Sequence, residues 1–177
     1  SNTFFDYWVL KLGPDGSKEW DRTIGGMIYD GGGYYTGLSI MTTSYQTSDG
    51  GYLLGGYSDT QKGRSKSENS KGKNDYWIVK VNAKGNKVWD KTVGGSDTDE
   101  LRSVFQTTDG GYFLAGSSFS NASTDKTENR KGTGFDYWVV KLAPENSSLL
   151  QTPIRINTGG PAFTTATKKV FSADQYY

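Results

Sequence analysis

The chain of 177 residues has no cysteine and no histidine. Without cysteine there is no disulfide framework, no zinc–thiolate site and no thiol nucleophile. Without histidine the commonest general base and the commonest transition-metal ligand are both missing. An excess of charge of either sign is missing too. Lysine and arginine total 20 against 19 aspartates and glutamates, a net charge of +1. That balance gives no electrostatic case for nucleic acid or an anionic membrane as partner. No apolar run approaches the roughly 18 residues of a membrane-spanning helix, so the chain reads as not membrane-spanning. Ser1 is not followed by a basic and then an apolar region. A mature chain or fragment is expected, with any targeting signal elsewhere.

What is present is a repeat. Phe5-Asp6-Tyr7-Trp8-Val9-Leu10-Lys11-Leu12 returns as Asn74-Asp75-Tyr76-Trp77-Ile78-Val79-Lys80-Val81. It returns again as Phe135-Asp136-Tyr137-Trp138-Val139-Val140-Lys141-Leu142. Self-similarity of this kind is the mark of a repeat architecture. Each copy reads as a strand. Trp77, Val79 and Val81 fall on one face and Tyr76, Ile78 and Lys80 on the other. Both faces carry apolar groups, so cover on both sides is expected, with the lysine ammonium reaching water.

A second motif, Lys18-Glu19-Trp20-Asp21-Arg22-Thr23-Ile24-Gly25-Gly26, matches Lys87-Val88-Trp89-Asp90-Lys91-Thr92-Val93-Gly94-Gly95. A third, Tyr45-Gln46-Thr47-Ser48-Asp49-Gly50-Gly51-Tyr52, matches Phe105-Gln106-Thr107-Thr108-Asp109-Gly110-Gly111-Tyr112. Asp-Gly between two strand-like runs is a strong hairpin signal. Glycine is 24 of 177 residues, well above the usual share of about 7%, and it gathers at these turns. The motifs predict four strands per repeat in two hairpins. Four short antiparallel strands per repeat is the pattern of a β-propeller blade. The expected fold is all-β: residues 1–144 as about two four-stranded blades of a partial propeller, counted from nine strands. Trp8, Trp77 and Trp138 are expected between blades, in equivalent buried places.

Between the hairpins, Lys66-Ser67-Glu68-Asn69-Ser70-Lys71-Gly72 matches Lys126-Thr127-Glu128-Asn129-Arg130-Lys131-Gly132. Shared spacing points to a defined loop, with Glu68 and Glu128 bonded to backbone N–H groups or a neighbouring lysine. Residues 27–44 read as an irregular insertion. Its glycine- and tyrosine-rich part makes Tyr34 and Tyr35 candidates for ligand contact. Ser96-Asp97-Thr98-Asp99-Glu100 is the densest acidic group. Asp97 and Asp99 are the residues that would carry calcium, but no EF-hand spacing follows and the stretch reads as a solvated turn. No cofactor is otherwise implied. The Asp6, Asp75 and Asp136 of each repeat read as structural caps rather than catalysts. After Pro144 the repeat stops. Residues 145–152 read as a linker and 153–177 as the start of a second β domain, too short to close a core alone.

The three repeated motifs, over residues 4–143, resemble the propeller-type repeats of large bacterial surface proteins, many of them exported by the type IX secretion system. The tail, Arg155-Ile156-Asn157-Thr158-Gly159-Gly160-Pro161-Ala162-Phe163 with Phe171-Ser172-Ala173-Asp174-Gln175-Tyr176, resembles the opening of a malectin-like domain. That family is a carbohydrate-binding β-sandwich. The resemblances imply an extracellular or outer-surface location in a Gram-negative bacterium. They also imply a non-enzymatic scaffold for adhesion or carbohydrate binding. Asp174 and Tyr176 join Tyr34 and Tyr35 as sugar-contact candidates. Two alternatives stay open at this point. One is a secreted cargo subunit whose partner is another surface or secretion protein. The other is a polysaccharide-degrading propeller enzyme, which would need two carboxylates about 5–9.5 Å apart.

Overall fold

The computed structural model describes residues 3–26, 28–29 and 35–145, together with three short strand segments nearer the C-terminus. Side chains are described for 5–26 and 37–145. The described residues are all-β, without a helix.

The first repeat unit is a hairpin of β2 (Tyr7–Leu12) and β3 (Lys18–Ile24). The second is a four-stranded antiparallel meander of β5 (Tyr35–Gln46), β6 (Tyr52–Ser58), β7 (Asp75–Val81) and β8 (Lys87–Val93). The third runs β9 (Asp99–Gln106), β10 (Tyr112–Ser118) and β11 (Asp136–Leu142). These are the nine expected strands. Short additions flank them. Strand β1 (Thr3–Phe5) pairs parallel with β5, and β4 (Ile28–Tyr29) pairs antiparallel with it. Strand β12 (Ile154–Arg155) lies beside β11, and β13 (Phe163–Thr164) pairs with β14 (Val170–Phe171).

One sequence reading changes here, and one pairing is added to it. The stretch read as irregular at 27–44 is strand from Tyr35 onward, as part of the 12-residue β5. Its Thr, Ser and Gly content hid a strand whose alternation is broken by a bulge between Met41 and Thr43. After Pro144, Arg155 stands opposite Val140 as Asp90 stands opposite Val79. Two residues of the tail, Ile154 and Arg155, thus pair with β11 without a Trp-Asp motif.

The units are covered face on face, and the two-residue period of β7 decides which side chain goes where. Trp77, Val79 and Val81 pack with Tyr7 and Ile24 of the first unit. Tyr76 and Ile78 pack with Leu101, Leu114, Trp138 and Val140 of the third. Every residue of β7 is buried. Burying side chains of this size contributes about 1.5–3 kcal/mol each relative to exposure.

The junction between units is built the same way twice. Tyr7 sits 4.8 Å from the Trp77 ring and its hydroxyl donates to the Trp77 carbonyl at 3.1 Å. Tyr76 sits 5.1 Å from the Trp138 ring and donates to the Trp138 carbonyl at 3.0 Å. Beside each carbonyl a glycine faces the tryptophan across the sheet, Gly56 to Trp77 and Gly116 to Trp138. A Cβ on either would lie 2.7 Å from the arriving tyrosine oxygen. The hydroxyl reaches the backbone only because no side chain stands there.

The expected burial of the three tryptophans holds for Trp77 and Trp138 but not for Trp8, which is 63% exposed. Trp8 is on the outer face of the first unit, where no tyrosine-bearing strand precedes it among the described residues. The repeated lysine also differs from expectation. Lys80 is 1% exposed, and its ammonium is bonded to Asp49 instead of reaching water.

Candidate functional site

The turn between β5 and β6 is a tied loop. Gly50 has φ of 79°, a backbone conformation that suits glycine. Asp49 accepts from the Thr47 hydroxyl at 2.5 Å and from the Gly51 N–H at 2.9 Å. Lys80 of β7 clamps both carboxylate oxygens of Asp49, at 3.0 and 2.8 Å. The β9–β10 turn repeats this with Gly110 at 82°, Thr107 and Gly111 on Asp109, and Lys141 at 2.9 Å from each oxygen. The lysine hydrogen bonds hold Asp49 well below the ordinary carboxylate range; in Asp109 the Thr107 hydroxyl leads and Lys141 follows. Gly51 and Gly111 do not take positive φ. They are glycine because a Cβ would meet the backbone oxygens of Val81 and Leu142 at 2.4 Å.

These two turns stand side by side. The Ser48 N–H donates to the Gln106 side-chain oxygen at 2.8 Å and ties one tip to the next. Between them lies an open cleft of about 400 Å³, lined by Tyr45, Gln46, Ser48, Gln106, Thr107 and Thr108. Tyr45 is 40% exposed. Because both turn carboxylates are neutralised by lysine, the cleft presents amides, hydroxyls and one aromatic face. The sequence located these residues as a hairpin motif but not as a site. The available signal was repetition: the same Gln-Thr pair at the same place in successive units brings two copies together.

The residues singled out from sequence stand elsewhere. Tyr34, Asp174 and Tyr176 lie outside the described residues. Tyr35 begins β5, and its side chain lies outside them too. Asp97 pairs with Lys73 at 3.0 Å and accepts from the Thr98 N–H; the lysine bond lowers its pKa. Asp99 is fully buried at the start of β9, bonded to the Gly95 N–H at 2.6 Å and the Ser120 hydroxyl at 3.0 Å. Burial pushes its pKa up. The two carboxylates serve different neighbours. Among the described residues no group of three or more His, Cys, Asp or Glu side chains could hold a metal ion.

The once-per-repeat aspartates are tied to backbone and neighbours. Asp75 accepts from the Lys71 N–H at 2.6 Å, and Asp136 from the Lys131 N–H at 2.7 Å. Asp6 receives Arg64 of the next unit at 2.8 Å. The repeated loop is equally structural. Glu68 accepts from Lys91 at 2.7 Å and from the Thr92 N–H at 2.9 Å. Glu128 sits in the unit without a Lys-Thr fourth strand and is exposed. The loop also reaches backward: the Ser65 N–H donates to the Gly25 carbonyl, and Asp125 N–H to the Gly94 carbonyl.

No helix among the described residues is long and apolar enough to cross a membrane. No protein-family model matches the chain, and no curated protein matches it.

Proposed function

We propose that the chain is a non-enzymatic binding module, a run of β-propeller blades from a secreted or surface-displayed bacterial protein, whose hairpin tips hold carbohydrate. The composition of the cleft carries this reading. Amide and hydroxyl groups around one exposed tyrosine suit a neutral, hydroxylated ligand, since sugars offer hydrogen-bonding rims and apolar faces. The face-to-face succession of meandering units supports the propeller reading. In this reading residues 153–177 are the first part of a malectin-like carbohydrate-binding domain. The hydrolase alternative has less support. Its candidates are spent separately: Asp97 on Lys73, Asp99 in the interior and Glu100 on Arg102.

The test is a glycan array followed by titration calorimetry, with the wild type and the Tyr45→Ala and Gln106→Ala variants. Binding by the wild type and its loss in both variants is the expected result. A folded protein that binds no glycan, or binds equally well in both variants, overturns the reading.

A further inference from the structure

We propose that the cleft between the two hairpin tips takes a chain of linked neutral sugars, bound across both tips at once, and that a single sugar is too short for it. The proposal rests on the carbohydrate reading of the same cleft and adds the length and charge of the ligand.

Length follows from how the cleft is divided. Its walls are the same turn twice, one from each of two successive units. The Thr47 and Thr107 hydroxyls are spent on Asp49 and Asp109. The next hydroxyls along, those of Ser48 and Thr108, belong to exposed residues that line the cleft from opposite units. Packed sheets stand about 10 Å apart, so hydroxyls carried by neighbouring sheets are separated by about that spacing. One sugar ring does not reach both, whereas two or three linked rings do. The span is preset. Gln106 accepts from the Ser48 N–H at 2.8 Å, and its own amide donates to the Gly110 carbonyl at 3.4 Å. A ligand that bridges the tips therefore has little ordering left to do.

The aromatic face is not doubled. Tyr45 stands opposite Leu53, whose side chain packs toward the third unit, so the tyrosine ring is turned to the cleft. Phe105 holds the same place in the third unit but stacks on Phe113 at 5.1 Å and does not line the cleft. One sugar ring then packs on Tyr45, and a neighbouring ring reaches Thr108. Charge follows from the same residues. Asp49 and Asp109 each hold a lysine, and no charged side chain among the described residues lines the cleft. A uronate would shed water there with no cation to receive it. A neutral chain regains its hydrogen bonds on amides and hydroxyls.

Titration calorimetry of the 177-residue protein tests this with β-linked oligomers of glucose, mannose, xylose and N-acetylglucosamine. Each series runs from the monosaccharide to the hexamer, beside galacturonate oligomers of the same lengths. In at least one neutral series, affinity is expected to rise about tenfold or more from monosaccharide to trimer and to level off once the span is bridged. Ser48→Ala and Thr108→Ala each change an exposed turn residue. Each is expected to weaken trimer binding about three- to tenfold, the worth of one hydrogen bond, and to shrink the gain with length. A monosaccharide that binds as tightly as the trimer, with binding lost in Tyr45→Ala, overturns the proposal and leaves the cleft a sugar site. Folded protein that binds no neutral series overturns both. Trimer affinity unchanged in either hydroxyl variant, or tighter binding of the galacturonates, overturns the proposal as well.

Discussion

Tyr76 and Trp138 are joined twice across the junction between the second and third units. Their rings lie 5.1 Å apart at 40°, and the Tyr76 hydroxyl donates to the Trp138 carbonyl at 3.0 Å. Burial pushes the Tyr76 pKa well up, so the hydroxyl keeps the proton it donates. The Tyr7–Trp77 pair repeats the arrangement one unit earlier. A dipeptide met three times in sequence is therefore a two-part fastener. The tyrosine of one strand serves the next unit, and the tryptophan serves the one before.

The tryptophans separate on this basis. Trp77 is fully buried, and its indole N–H donates to Asp90 at 3.1 Å. Trp77→Ala is expected to cost about 3–5 kcal/mol, the range for a large buried aromatic. Trp8→Ala in the monomer is expected to stay within about 0.5 kcal/mol, as for exposed positions. Urea melts of the two variants, made at a concentration where the chain is monomeric, check the contrast. Equal losses would show that the two sites are not structurally distinct.

Gly116 gives a sharper test of the junction. An alanine methyl there would stand 2.1 Å from the Glu100 carbonyl oxygen and 2.7 Å from the Tyr76 hydroxyl. Gly116→Ala is expected to destabilise by more than 1 kcal/mol, through displacement of backbone and loss of the tyrosine bond. Thermal unfolding of this variant beside Tyr76→Phe separates the two costs. A Gly116→Ala protein as stable as wild type contradicts the close approach.

Removal of the turn carboxylates is expected to be unequal. Lys80 is 1% exposed and Lys141 15% in their side chains. Asp49→Asn strands a buried ammonium, whereas Asp109→Asn leaves one that water reaches, so the first loses more stability. The pKa of each aspartate is lowered from 3.8. A lowered carboxylate contributes stability above its unfolded pKa and loses it as pH falls through the folded value. The gap between wild type and either variant should therefore narrow below about pH 4. Denaturant titrations at pH 7 and pH 3 measure it; a gap that widens in acid refutes the pairing.

Lys66 moves stability in the opposite range. Burial lowers its pKa from 10.5 to about 8. It is held by the Thr60 carbonyl at 2.8 Å and the Ser70 hydroxyl at 2.9 Å. The folded state then binds fewer protons than the unfolded chain between the two values, so stability rises with pH across that window. Wild type should gain on Lys66→Met between about pH 8 and 9.5, below the range where tyrosines titrate. Stability curves with no such relative rise would place Lys66 in water.

The strands and turns were readable in the sequence because alternation and Asp-Gly signals are local. The pairing of Glu68 with a lysine and a backbone N–H was readable as well, from the shared spacing of two loops. What escaped was non-local. Nothing near Lys80 shows that Asp49, 31 residues away, closes over its ammonium. Trp8 looks identical to Trp77 in its own strand, and what sets it apart is that, among the described residues, no tyrosine face lies against it. The cleft was hidden for the same reason: Ser48 and Gln106 meet only when two units stack.

The most direct measurement on the central claim, that tyrosine and tryptophan fasten successive units, is a double-mutant cycle on Tyr76→Ala and Trp138→Ala by denaturant unfolding. Residues in contact of this kind couple by about 0.5–3 kcal/mol. A coupling in that range is expected for Tyr76 and Trp138. The Trp8→Ala and Tyr137→Ala pair serves as the control in the monomer and should show none. A coupling near zero between Tyr76 and Trp138 would contradict the fastening of the units.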